Sequence, residues 1–329
     1  MCEQVTALGI PKEVHTLPAH KRGGSPKKQQ EEVMIQQQNY ENVLQKGVLV
    51  LLKTSVWTGR VKMPSKVLAD EGVNPDFVRA YKYLIDPDCM KDIVVARNKA
   101  RDWLYNHSLP FPIKGVVLIP ISLVPGAEEK LGEFKRQFQE AVMAFTSEYN
   151  AFIESAQREL GPLYNPSEYP RNIHAKFNFG WGYFTLATPD HLSAVDPALV
   201  EREQRNFQNM IQEFQENAIN ALREKFLEMI SNISDRLKTG KKWHKSSVEK
   251  FKEFLENFQH LNIADDQQLA EAVEKSKSLL KGIPVDELRS RVVAEVVGEK
   301  LEEVKDWAVA NLEDLPRRKV IAFRKTDAA

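Results

Sequence analysis

The sequence predicts an α+β fold dominated by helices, and three observations point to it. Two long segments, residues 127–160 and 197–239, place large apolar side chains at steps of three and four. The first has Leu131, Phe134, Phe138, Val142, Phe145, Tyr149 and Phe152; the second has Phe207, Ile211, Phe214, Ala218, Leu222, Phe226, Met229, Ile233 and Leu237. Such spacing puts one apolar stripe along one side of each helix. Four shorter stretches near 47–63, 79–85, 115–124 and 176–188 are rich in β-branched and aromatic residues, and read as one small, mostly antiparallel sheet.

In chain order, residues 1–30 are polar and lysine-bearing, the composition of a disordered basic tail. Residues 31–240 form the expected α+β core. It opens with a short helix over Glu31–Lys46, which Gly47 stops. Val48–Met63 reads as a strand, or as a strand pair bent near Thr58-Gly59, and Arg79–Ile85 as another strand. Asp88 is the expected N-cap of a helix from Cys89 to Asn106. Gly115–Val124 reads as a buried strand, in which Pro120 predicts an edge position or a bulge. Gly161-Pro162 stops the first long helix. Lys176–Thr188 follows as an aromatic strand with Phe177, Phe179, Trp181, Tyr183 and Thr185 on one parity. Asp196-Pro197 opens the second long helix, with proline at its first position. Residues 241–315 form a C-terminal helical region, with helices over Ser247–Leu261, Asp265–Lys281 and Pro284–Leu315. Residues 316–329 are a second basic tail.

Each long stripe needs a partner, and the nearest in sequence is the other. The two helices are therefore expected to zip into an antiparallel, coiled-coil-like hairpin that projects from the sheet. The aromatic strand then has two places open to it, in the base sheet or at the hairpin tip.

Composition narrows the function classes. The chain has 329 residues, 46 basic and 46 acidic, so no global charge draws it to nucleic acid or anionic lipid. Two cysteines are too few for a disulfide framework. No signal peptide is read at the start, and the longest apolar run, Gly47–Leu52, is too short to span a bilayer. The expectation is a soluble cytoplasmic protein. P-loop, dinucleotide, metalloprotease and nucleophile-elbow motifs are absent, so no catalytic residue, cofactor or metal is assigned. His174 and His191 flank the aromatic strand, near Glu168 and Asp190, and read as surface or capping histidines.

Three groups are candidates for interaction. Trp57 and Arg60 flank Gly59, an arrangement that fits a core anchor at a turn, or a stacking and anion-binding surface. Phe179, Trp181 and Tyr183 fill a core in the plainer reading, and in the sharper one bind a protein, stack bases or dip into a membrane. Lys241, Lys242, Trp243 and Lys245 form a basic turn, either solvated or in contact with phosphates.

The segment Ser55-Val56-Trp57-Thr58-Gly59-Arg60, the following Lys66–Asp70 stretch and the long helices around a Gly-Trp-Gly strand together resemble an uncharacterised bacterial and phage family, a domain of unknown function. The resemblance spans about Val48 to Leu280. Members occur on phages and mobile elements, some beside MoxR-type AAA ATPases and von Willebrand-type adaptor proteins. It implies a protein partner of that kind and no catalytic residue. The expected function is a non-enzymatic structural or adaptor protein whose hairpin docks a partner. Nucleic-acid binding by the basic turn and aromatic strand is the first alternative, and a membrane-active hairpin the second. Oligomeric state is not readable.

Overall fold

A computed structural model describes residues 44–63, 72, 74, 76–187 and 196–312 of the chain. The expected tails, most of the Glu31–Lys46 helix and the Lys66–Asp70 stretch lie outside them. The fold is α+β and helix-dominated, as the sequence predicts. Its strands are β1 (Gly47–Ser55), β2 (Arg60–Lys62), β3 (Tyr81–Tyr83), β4 (Leu109–Pro110), β5 (Val116–Pro120) and β6 (Asn178–Phe184). Its helices are α1 (Lys91–Asn106), α2 (Val124–Leu160), α3 (Pro197–Thr239), α4 (Lys245–Leu261), α5 (Gln267–Leu280) and α6 (Arg291–Leu312).

The strands form two sheets rather than the single one expected. A four-stranded antiparallel sheet has the order β4-β5-β1-β6, while β2 and β3 pair apart as a two-stranded ribbon. The bend at Gly59 separates β1 from β2, and its φ of +61° is a conformation that residues with a Cβ rarely adopt. Pro120 is the last residue of β5, opposite Gly47, and β5 lies inside the sheet. The proline needs neither an edge nor a bulge because it ends the strand. The cap before α1 is also corrected. The Asp86 carboxylate, not that of Asp88, accepts the Asp88 N–H at 2.9 Å and closes a 3-10 turn over Pro87–Met90.

Both faces of the main sheet are covered, which explains the unbroken apolar run of β1. Leu49, Leu51, Val116, Leu118 and Phe184 face a core built with α3, α4, α5 and α6. Val50, Leu52, Val117, Ile119 and Trp181 face Leu104 of α1 and Ala127 of α2. The sheet is thus the middle of three layers.

That layering overturns the expected hairpin. The α2 stripe packs on the aromatic strand and on α1: Phe138 meets Phe179 at 5.4 Å between ring centroids, and Phe145 meets Phe177 at 5.5 Å. The α3 stripe, from Ile211 to Leu237, lies in a separate core on the opposite sheet face. Its long-helix partner is α6, which runs antiparallel to it: Gly298 abuts Lys238, and Leu312 lies beside Arg223. Stripe spacing specifies a face to be buried, not the neighbour that buries it, and here each stripe finds a shorter helix and one side of the sheet.

The aromatic core contains two tyrosines in contrasting states. The Tyr169 hydroxyl donates to the Leu84 carbonyl at 2.7 Å, while the buried Tyr149 hydroxyl has no hydrogen-bond partner among the described residues. Burial pushes both phenols up to about 12. Tyr149→Phe is therefore expected to leave thermal stability unchanged or raised. Tyr169→Phe should lower it by about 1 kcal/mol, because the Leu84 carbonyl loses its donor. Equal losses in urea unfolding would contradict this contrast.

Candidate functional site

Two surfaces collect the chemistry of this chain. The first is the β2–β3 ribbon. Cross-strand partners share a face, so Arg60 with Tyr83 and Lys62 with Tyr81 stand on one side, and Val61 with Lys82 on the other. The second pair points inward: Val61 packs into the aromatic core, and Lys82 is buried. The Lys82 ammonium pairs with Glu168 at 2.7 Å and donates to the Leu163 carbonyl. The Leu84 N–H donates to the Gly59 carbonyl at 2.6 Å and closes the base of the ribbon.

The outer face is left to Arg60, Lys62, Tyr81 and Tyr83. Tyr81 is 49% exposed and Tyr83 48%, and the Arg60 guanidinium lies over the Tyr81 ring at 5.2 Å. Phe77, 88% exposed, sits close before β3 in the chain. The result is a cationic and aromatic platform held rigidly from behind.

The second surface is a cleft between α1, α3 and α4. Its larger part, about 530 Å³, is walled by Lys225, Arg236, Lys250, Trp243, Tyr105 and Glu228, over an apolar floor that includes Met229 and Ile233. A smaller part of about 290 Å³ shares Lys225 and Lys250 and extends toward Trp103, His107 and Phe134. Trp103 and His107 stack at 4.2 Å. The His107 Nδ1 lies 2.8 Å from the Trp103 carbonyl and its Nε2 3.1 Å from Glu253 Oε1. Both neighbours are acceptors, so the ring meets both only with two N–H groups.

Lys225 stands where the two parts join. Its ammonium donates to the Asn106 carbonyl at 2.9 Å and lies over the Phe254 ring at 5.4 Å. Burial pushes it down to about 8, against the opposing pull of Glu253 and Glu228.

The remaining predicted residues fall as follows. Trp57 packs on Tyr149 at 5.8 Å and on Phe145 at 6.5 Å, an anchor for the turn at Gly59. Phe179 is buried. The Trp181 Nε1 donates to Glu128 Oε1 at 2.6 Å, and its ring lies beneath Lys135. Tyr183 is partly exposed, and burial followed by a hydrogen bond with Glu128 raises its phenol above the ordinary range. The aromatic strand therefore joins the base sheet with its aromatic row against α2. Lys241 and Lys242 are exposed on the turn between α3 and α4, Lys245 pairs with Asp286 at 3.1 Å, and Trp243 lines the cleft. His174 is exposed, while His191 lies outside the described residues.

Residues 44–288 match the family described as "Protein of unknown function (DUF3150)". The chain belongs to the DUF3150 family. No curated protein and no solved structure matches it. The DUF3150 match spans the whole sheet, the ribbon and the cleft, and stops short of α6. Among the described residues, no helix is long and apolar enough to cross a membrane.

Tyr81, Tyr83, Lys225 and the His107–Glu253 contact were not among the residues singled out from sequence. Tyr81-Lys82-Tyr83 was legible as a strand, but its period-two pattern suggests the tyrosines as the buried side. Lys225 was signalled only by its position beside Phe226, on the flank of an apolar stripe.

Proposed function

We propose that this DUF3150 chain is a non-enzymatic adaptor that docks a protein partner on the outer face of the β2–β3 ribbon. The supporting observation is the platform itself: two half-exposed tyrosines, one beneath an arginine, on a ribbon whose inner face is fixed by a buried lysine–glutamate pair. Tyrosine and arginine dominate the residues on which protein interfaces depend. A ribbon fixed before binding loses little freedom when a partner arrives. The ribbon takes the role that the sequence assigned to a hairpin. The resemblance to proteins of phages and mobile elements makes a MoxR-type AAA ATPase or a von Willebrand-type adaptor the first partner to test, in the bacterial cytoplasm.

The test is calorimetric titration of the full chain with each purified genomic neighbour. A specific complex is expected, weakened about tenfold or more in Tyr81→Ala/Tyr83→Ala, a loss of at least ~1.4 kcal/mol. The melting temperature should stay near the parent's, because both rings are half in solvent. Absence of any complex, or a complex indifferent to the double substitution, overturns the proposal. A gel shift at low salt that vanishes in the same variant would instead favour nucleic acid.

A further inference from the structure

We propose that the cleft between α1, α3 and α4 is a second site, separate from the ribbon, which binds a mononucleotide-sized ligand through its phosphate. Three features support it. The first is size: about 530 Å³ lies within the range of small-molecule pockets. The second is chemistry. Trp243 and Tyr105 offer flat rings and Met229 an apolar floor, while Lys225, Arg236 and Lys250 supply three cations in the larger part against Glu228, with Lys99, Asp102 and Glu253 in the smaller one. That combination suits a molecule with a planar apolar body and an anionic end.

The third feature is Lys225. An ammonium has three donors, and among the described residues only the Asn106 carbonyl accepts from this one. Glu253 of α4, which lines the same cleft, is engaged by His107. Burial disfavours this charge and Glu253 and Glu228 offset that only in part, so a bound phosphate that accepts from the ammonium would stabilise it. The same anion would favour the protonated amine, so ligand binding and protonation of Lys225 should be linked. The sign follows: affinity is full below about pH 8 and declines as pH rises through that value. The other titratable groups facing this position are Lys99 and Asp102 from α1, His107 just after it, Glu228 and Arg236 from α3, and Lys250 and Glu253 from α4.

Adenosine diphosphate, inorganic pyrophosphate and adenosine are the probes, titrated into the full chain by calorimetry at pH 7 and pH 9. The diphosphate is expected to bind, pyrophosphate more weakly and adenosine not measurably. The nucleotide should lose about tenfold in affinity between the two pH values, the change in the protonated fraction of a group titrating near 8. Lys225→Met should abolish both the binding and its pH dependence while melting at or above the parent, since it removes a desolvated charge. Lys250→Ala, on an exposed position, should weaken binding without affecting folding. Failure of the diphosphate to bind at millimolar concentration overturns the proposal, as does binding that survives Lys225→Met. Binding by a phosphorylated peptide alone would reassign the cleft to a macromolecule and equally overturn it. None of these outcomes depends on the ribbon.

Discussion

Arg223→Ala is expected to cost about 3–5 kcal/mol of stability, measured by urea unfolding. The guanidinium joins three helices. Its Nε and Nη2 donate to the two Asp266 oxygens at 2.6 and 3.0 Å, Nη2 also reaches Gln268 Oε1 at 3.1 Å, and Nη1 reaches the Leu312 carbonyl at 3.4 Å. Both side chains are nearly sealed from water, at 11% and 3% exposure, so removing one leaves the other charged and unpaired. Asp266 also caps α5 by accepting the Leu269 N–H at 3.1 Å. The double variant Arg223→Met/Asp266→Leu should therefore recover most of the loss and retain a deficit of about 1 kcal/mol from the missing cap. If the double variant is no more stable than Arg223→Ala, the cost does not come from the unpaired carboxylate.

Gly298→Ala should lower stability by roughly 1–3 kcal/mol, although alanine suits a helix better than glycine by about 1 kcal/mol. The reason is the approach of α6 to α3. A Cβ at Gly298 would lie 2.6 Å from the backbone nitrogen of Lys238 and 3.1 Å from the Leu237 Cβ, and backbone cannot swing aside as a flexible side chain can. Gly132 in α2 is the control. A Cβ there meets only the Arg136 guanidinium, at 4.0 Å, so Gly132→Ala should gain up to ~1 kcal/mol. Opposite signs at the two sites are expected; a gain at both would mean that α6 is not seated on α3 as described.

The segments with strong period were readable from sequence because burial leaves its mark locally. The α3 span matched residue for residue, since Asp196-Pro197 and Gly240 punctuate it: the Asp196 side chain accepts the Ala198 N–H, and Gly240 takes φ +65°. The parity of Phe177, Phe179, Trp181 and Tyr183 was equally plain. What periodicity could not give was the partner. Phe138 and Phe214 have the same helical spacing, yet they face opposite sides of one sheet, because which neighbour arrives depends on strands far away in the chain. The ribbon shows the same limit more sharply. In Tyr81-Lys82-Tyr83 the lysine is the buried member, which holds only because Glu168 and the Leu163 carbonyl come from a distant loop to meet it. Lys225 is alike: nothing beside it in the sequence foretells the Asn106 carbonyl or the Phe254 ring. Candidate sites in this chain rest on such long-range pairings, so sequence located the scaffold better than the surfaces.

The position of β1 has a consequence for how the protein is made. Leu52 pairs with Trp181, about 130 residues further on, and β5 also follows β1 in the chain. At ribosomal rates of about 5–20 residues per second, the Val48–Leu52 segment waits roughly 6–26 seconds for its last neighbour to be synthesised. Until β5 is made, a five-residue run of valine and leucine has neither sheet edge covered, and one edge stays open until β6 follows, the condition under which nascent chains pair with one another. Fast translation or a holding chaperone should therefore govern the yield of this protein in a cell more than the stability of its finished fold.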